Sequence, residues 1–300
     1  MKTPNAFFSA RVLCVPFVLS VLFLAPLRAA DTANPAADTA GKPDARAVAA
    51  AESVNWLGIE LLKKNGAPGE NALFSPYSID MEIALAYASA NGTTRPEIAQ
   101  ALHFPKAAED CFGKLLHWTE QAGQTPADAG KEDGTGKQDA GGAKPAAPVE
   151  MLFANRIYVQ AGLDLNANLL AQLKLNYDTA MVPVDFAKDP AAAAHGINDW
   201  ISQQTMQHIP NLVPDGALDQ TTNLVLANAI YLKAPWSKGF RADLTKPAPF
   251  HVGGDMTEVP MMRGYDVKLG LARHEGYTAI AIPYAGSKWQ FLILLPDKSD

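Results

Sequence analysis

PYSIDMEIALAYAS, residues Pro76 to Ser89, is the stretch that most limits what this chain can fold into. Ser75 supplies an N-cap, Pro76 suits the first helical position, and Asn91-Gly92 supplies a stop, so the stretch predicts a helix running to about Ala90. Its residues Ile79, Met81, Ile83, Ala84, Leu85, Ala86, Tyr87 and Ala88 are apolar on nearly every face. Such a helix must be surrounded, which demands a large domain with other elements on all sides. A chain of 300 residues, 48% hydrophobic and 19% charged, has enough apolar material to build one.

The neighbouring segments supply those elements. Upstream, Val54, Leu57 and Leu61, with Lys63 and Lys64 in the last turn and Gly66 as the stop, make one amphipathic helix. Ala72, Leu73 and Phe74 form a short apolar piece before Ser75. Thr94 and Glu97 predict a capping box for a short helix, and CFGKLLHWTEQ predicts another after Pro105. MLFANRIYVQ reads as a strand, followed by a helix over 167–175, the segment VPVDF, and a helix over 191–207. After a loop at 212–218, VLANAIYLK, PAPFHV, EVPMMRGYDVKLGLA, TAIAIPYAG and WQFLILLPD read as β segments. Helices early and strands late predict an α+β domain, and no repeating period points to a solenoid.

The two remaining regions differ in kind. Residues 1–30 carry Lys2, Arg11 and Arg28, no acid, and the apolar run VLCVPFVLSVLFLAPL, the layout of a signal peptide. The expected destination is secreted or periplasmic. An uncleaved leader acting as an anchor is the alternative, though the run is short and broken by Pro16 for a spanning helix. Residues 31–47 read as a flexible stem, 48–300 as the ordered domain, and 121–148, rich in Gly, Ala, Lys, Asp and Pro, as a disordered insertion. Losing the leader's three cations moves the formal charge from −6 to −9. An acidic chain argues against nucleic acid or an anionic membrane as the main partner. Cys14 leaves with the leader, so Cys111 remains without an intramolecular disulfide partner and is read as a small helix residue.

Several chemistries lack a signature. The histidines at 103, 117, 195, 208, 251 and 274 show no HExxH spacing, and no CxxC joins them, so no metal is expected. No GxGxxG follows a strand and no Walker loop exists, so no cofactor is expected. Ser75 lies in FSPYS rather than in a GxSxG elbow, and the Glu132-Asp133 pair falls in the insertion, where no pocket would tune it. Enzymatic activity has no positive support. A hydrolase using Ser75 is retained only as an alternative of another class.

One residue breaks an otherwise apolar strand: Asn228, in the middle of VLANAIYLKAPWSKGF, places an amide where a purely structural strand would place an aliphatic group. Its plainest role is to satisfy a loop carbonyl.

Taken together, the segments resemble the serpins, the large inhibitors of serine proteases. NALFSPYSIDMEIALAYASANGTTRPEIAQALHF resembles the family's second and third helices with the strand before them. FANRIYV, VPVDF, INDWISQQTMQHIPNLV, TNLVLANAIYLKAPWSKGF, the segment at Phe250, VPMM at 259–262 and LLPD at 294–297 follow in the family's order. The resemblance covers about 48–300 apart from the insertion. It implies a serpin fold, helices packed around a large central mixed sheet with additional smaller sheets. It also implies inhibition of a serine or cysteine protease by a suicide substrate: a reactive loop is cut and inserts into the main sheet, releasing strain. Ser75, Ser78 and Asn228 match the polar shutter beneath the sheet centre, and Trp236 matches the breach where insertion begins. Asn228 is accordingly expected to bond Ser75 or Ser78. The reactive loop, its hinge and the closing strands would lie beyond Asp300, so the reactive bond is not among these residues. A monomer is expected, and a non-inhibitory binding or chaperone-like member of the same fold is the alternative.

Overall fold

The computed structural model describes residues 43–66, 71–123, 149–179, 181–252, 255–264, 269–286 and 289–297. The expected leader and most of the stem and insertion lie outside them. The first helix, α1 (Ala45–Asn65), begins inside the stretch expected as stem, because the Asp44 side chain accepts from Arg46 N at 2.9 Å and Ala47, Ala50 and Ala51 are buried. It ends at Gly66, whose N–H donates to Leu62 O at 2.8 Å.

Ala72 to Phe74 form no strand, and the chain passes directly into α2 (Pro76–Ser89), capped by Ser75 Oγ on Ser78 N at 3.2 Å. One face of the helix is fully buried, with Tyr77, Met81, Ala84 and Leu85 each no more than 4% exposed, and the other face is half-buried rather than packed on all sides as its composition suggests. Next comes α3 (Thr94–Ala101), one residue earlier than a Thr94 cap would place it. Thr93 occupies the N-cap position with helical backbone angles and no side-chain bond, so the expected Thr94–Glu97 capping box is not formed. Then α4 (Ala108–Gly123) takes the first three residues expected as insertion, with Ala122 in the core.

The central sheet is mixed. β1 (Glu150–Gln160) pairs in parallel with β2 (Met181–Val184) and antiparallel with β3 (Leu224–Lys233), giving the order β2-β1-β3. Helix α5 (Ala167–Tyr177) connects β1 to β2, and α6 (Pro190–Gln204) connects β2 to β3. Helix α6 stops short of the expected 207, since Met206 and Gln207 take positive φ angles of 48° and 64°. Asn198 fixes the loop that follows, accepting from Leu212 N and Val213 N at 2.9 and 2.8 Å and donating to Val213 O at 2.8 Å.

The two faces of this sheet bury different cores, as alternation along a strand requires. Phe153, Ile157 and Val159 of β1 and Leu226 and Ile230 of β3 pack with α1, α2, α4 and α5. Ala154, Tyr158, Ala227 and Ala229 face α6, where Ile197 and Ile201 meet Phe186. The three alanines on that face are small, which leaves room for α6 against the sheet. Trp200 of α6 sits under the Arg156 guanidinium at 3.9 Å and edge-on to Tyr158.

Two further sheets follow. β4 (Arg241–Val252) and β5 (Asp255–Arg263) form a two-stranded antiparallel ribbon; β6 (Gly270–His274), β7 (Tyr277–Pro283) and β8 (Gln290–Pro296) form a three-stranded antiparallel sheet. The segment expected as one strand from Glu258 to Ala272 is thus split between β5 and β6. Helices and mixed sheet together make the α+β class read from the sequence.

Candidate functional site

The centre of β3 is where the expected polar cluster converges. Asn228 lies opposite Asn155 of β1 in the register. Five positions away, Gln160 N bonds Asn223 O at 2.9 Å, so that pair is a hydrogen-bonded one. Antiparallel pairs alternate, which makes Asn155–Asn228 a non-hydrogen-bonded pair. Such pairs bring their side chains closest, and both amides lie on the α2 side of the sheet with Leu226 and Ile230. Asn228 Nδ2 donates to Asn155 Oδ1 across the strands.

The alternation also fixes the outer edge of β3. Leu226, Asn228 and Ile230 turn their backbone N–H and C=O groups away from β1, and among the described residues no strand pairs with them. Glu82 of α2 is half-buried, and the Asn228 backbone N–H lies close enough to favour its carboxylate. Burial pushes the Glu82 carboxyl up from 4.5 to about 7, and the Asn228 N–H opposes the shift. Asn228 Oδ1 is buried with no protein donor among the described residues.

Ser75 and Ser78 stand at the start of α2. Ser75 Oγ donates to Ser78 Oγ at 3.0 Å and caps Ser78 N. Neither hydroxyl takes up the Asn228 amide, whose partner is Asn155; the expected direct bond is replaced by one across the sheet. The physical reason is the register: a side chain directly opposite on a non-bonded pair is nearer than one on the underlying helix. Ser75 Oγ bonds Ser78, and no imidazole contacts it among the described residues.

A buried carboxyl lies one helical face away. Asp80 is fully buried, and burial raises it from 3.8 to about 7, partly offset by the Ser53 hydroxyl. Ser53 Oγ has one proton and two acceptors in reach, Asp80 Oδ2 at 3.0 Å and Leu102 O at 2.9 Å. A protonated Asp80 satisfies both contacts. On the preceding turn the Tyr77 hydroxyl meets Thr119 Oγ1 at 2.8 Å, which ties α2 to α4, and Thr119 Oγ1 donates to Leu116 O at 2.8 Å.

Trp236 lies just beyond β3, where it couples the central sheet to the three-stranded one. Its ring stacks on Tyr284 at 4.6 Å and 10°, and meets Phe240 and Phe291 edge-on at 5.9 and 6.0 Å. Backbone bonds Ser237 N to Pro283 O at 3.0 Å and Ala285 N to Pro235 O at 2.8 Å close the junction.

Three participants were not singled out from the sequence: Asn155, Glu82 and Asp80. Asn155 sits in an alternating strand where a polar residue passes unnoticed. Asp80 and Glu82 carried a signal, because a charged residue in a helix surrounded on all sides must be buried. No cluster of three or more His, Cys, Asp or Glu residues suited to a metal occurs among the described residues, and no described helix is long and apolar enough to cross a membrane.

Comparison with known proteins places this arrangement. The serpin (serine protease inhibitor) family pattern matches residues 52–300. A leukocyte elastase inhibitor of Bos taurus is 31% identical over 232 residues, covering 77% of this chain and 56% of its own length. Serpin-ZXA of Oryza sativa subsp. japonica is 33% identical over 241 residues, with 78% and 56% covered. The chain spans about half the length of the curated relatives it matches. Among solved structures, reaction loop cleaved lamprey angiotensinogen matches with a TM-score of 0.69 at 27% identity, over 85% of this chain and 69% of that one. Uncleaved ovalbumin matches with a TM-score of 0.63 at 25% identity, over 86% and 63%. The order of elements, the mixed central sheet and a family match across residues 52–300 lead to one conclusion: the chain belongs to the serpin family.

Proposed function

We propose that this chain forms the body of a protease inhibitor that works as a suicide substrate, with a cleaved loop entering the central sheet beside β3. The observation that carries the reading is the outer edge of β3. Its outward N–H and C=O groups are the ones β1 does not use, so a strand on that side pairs through them, and beneath its midpoint lies the Asn155–Asn228 amide pair. A polar contact of that kind suits a strand that must admit a neighbour, because hydrogen bonds exchange partners at little net cost, whereas an apolar seam must be exposed and resealed. Ser75, Ser78 and Asn228 act as the shutter, and Trp236 as the breach.

The relatives suggest where to look for a target. Proteins named leukocyte elastase inhibitor in Bos taurus, Equus caballus and Sus scrofa are 30–31% identical to this chain. The partner class in this reading is therefore a serine protease, with elastase-like enzymes first, and the leader at 1–30 directs the protein to a secreted or periplasmic location. The naturally expressed protein, incubated with elastase-, trypsin-, chymotrypsin- and subtilisin-like proteases, should give a covalent complex that survives boiling in detergent. Cleaved protein without any complex would replace this reading with the non-inhibitory, binding role.

A further inference from the structure

The Leu102 carbonyl stands at the C-cap of α3, past the last N–H of its own helix, and takes its hydrogen bond from another helix instead. The donor is the buried Ser53 hydroxyl of α1, at 2.9 Å. The same Ser53 oxygen lies 3.0 Å from Asp80 Oδ2 of α2, and a hydroxyl has one proton to give. Which contact receives that proton depends on the charge of Asp80. A neutral Asp80 donates its own proton to Ser53 Oγ and leaves the Ser53 proton for Leu102. An ionised Asp80 has no proton to give and needs donors at both oxygens, and Oδ1 has none among the described residues. It then claims the Ser53 proton at Oδ2, and one proton cannot serve two acceptors.

We propose that Ser53 is a proton-controlled tether between α1 and α3: it holds the Leu102 carbonyl while Asp80 is neutral and lets it go when Asp80 ionises. The step consists of loss of the Asp80 proton to solvent and rotation of the Ser53 hydroxyl about its Cβ–Oγ bond. Burial raises Asp80 from 3.8 to about 7, so the tether is closed in mildly acidic solution and opens as pH rises through neutrality. Release loosens the end of α3, where Leu102 N bonds Ile98 O at 3.0 Å and Phe104 N bonds Ala99 O at 2.9 Å. The connection to α4 that follows is already held at positive φ, 54° at both His103 and Ala107. Charged groups on the surrounding elements are engaged or turned elsewhere. Glu52 of α1 is exposed, Glu82 lies two residues along α2 on the opposite side of the helix, and Arg95 of α3 pairs with Glu109 of α4. His103 is exposed, with its ring 4.1 Å from that of Trp56. The tether stands apart from the inhibitory reading and gives the helical side of the molecule a response to pH.

Amide exchange resolved to single residues in the naturally expressed protein, corrected for the intrinsic dependence of exchange on pH, tests the tether without any protease. Protection at Leu102 and Phe104 should fall at least about tenfold between pH 5 and pH 8. Asp80→Asn, whose side-chain N–H donates to Ser53 at any pH, should keep the protection at both. Ser53→Ala should give the low value at both, although Asp80 still titrates in it. Equal protection of the wild-type amides at the two pH values would overturn the tether, and this comparison needs no variant to fold. A fall that persists in Asp80→Asn would overturn it by assigning the response to another group, such as His103. A fall that persists in Ser53→Ala would overturn it by assigning the response to general destabilisation from the buried charge.

Discussion

Asn155 and Asn228 face one another across β1 and β3 at a position where the two backbones do not bond, and their side-chain amides make the link instead. The pair lies between the sheet and α2, with apolar neighbours Ile157, Leu226 and Ile230 around it. A link of this kind holds two strands in register without fixing the outer edge of β3.

Removing either amide leaves the other half-buried and unpaired. Asn155→Ala and Asn228→Ala are each expected to lower stability by about 1–3 kcal/mol, while the double variant loses less than the sum of the two. Urea unfolding of the three proteins gives the coupling directly. Additive losses would show that the two amides do not interact.

Stability should fall as pH rises from about 4 to 7. Asp80 is 3.8 when unfolded and about 7 when folded, so the folded protein binds the extra proton throughout that window. Binding more protons in the folded state means that each added pH unit favours unfolding; below the window both states are protonated, above it both are ionised. The shift corresponds to at most about 4 kcal/mol for Asp80. Glu82, raised from 4.5 to about 7, adds to the slope in the same direction. Asp80→Asn should reduce the slope, and Asp80→Asn with Glu82→Gln should reduce it further. Unfolding midpoints at intervals from pH 4 to 8 provide the check, with wild type minus variant as the quantity read.

Helices α4 and α5 touch at Gly113, where an added Cβ would lie 2.5 Å from the Asn176 carbonyl oxygen. Backbone cannot give way as a flexible side chain can. Gly113→Ala is therefore expected to cost about 1–3 kcal/mol by overpacking, despite alanine's better helix propensity. Thermal unfolding decides between the two effects, since propensity alone would stabilise the variant.

Trp236 is half-exposed, and among the described residues its ring meets Tyr284, Phe240 and Phe291. Trp236→Ala is expected to lower stability by about 2 kcal/mol, short of the loss for a fully buried ring, and Trp236→Phe by less because stacking on Tyr284 survives. Near-ultraviolet circular dichroism should lose part of its aromatic signal in the alanine variant while far-ultraviolet helix content is kept.

Much of this arrangement was legible in the residues. The Ser75-Pro76 cap, the all-round apolar α2 and the strand with one amide are local features, set by propensity and period, and each appears where it was read. The partner of Asn228 was not legible, because it lies 73 residues away and only the register of β1 on β3 brings it opposite. The Thr94 capping box failed by one position, since Thr93 is already helical and shifts Thr94 into the first turn.

The central claim is that β3 receives a strand on its outer edge when the protein is cleaved by its target. Amide exchange along β3, measured before and after cleavage, tests it most directly. Leu226, Asn228 and Ile230, whose N–H groups point outward, should each become protected at least about tenfold, while Val225, Ala227 and Ala229, turned toward β1, should change little. Unchanged exchange at the three outward amides in the cleaved protein would contradict the account.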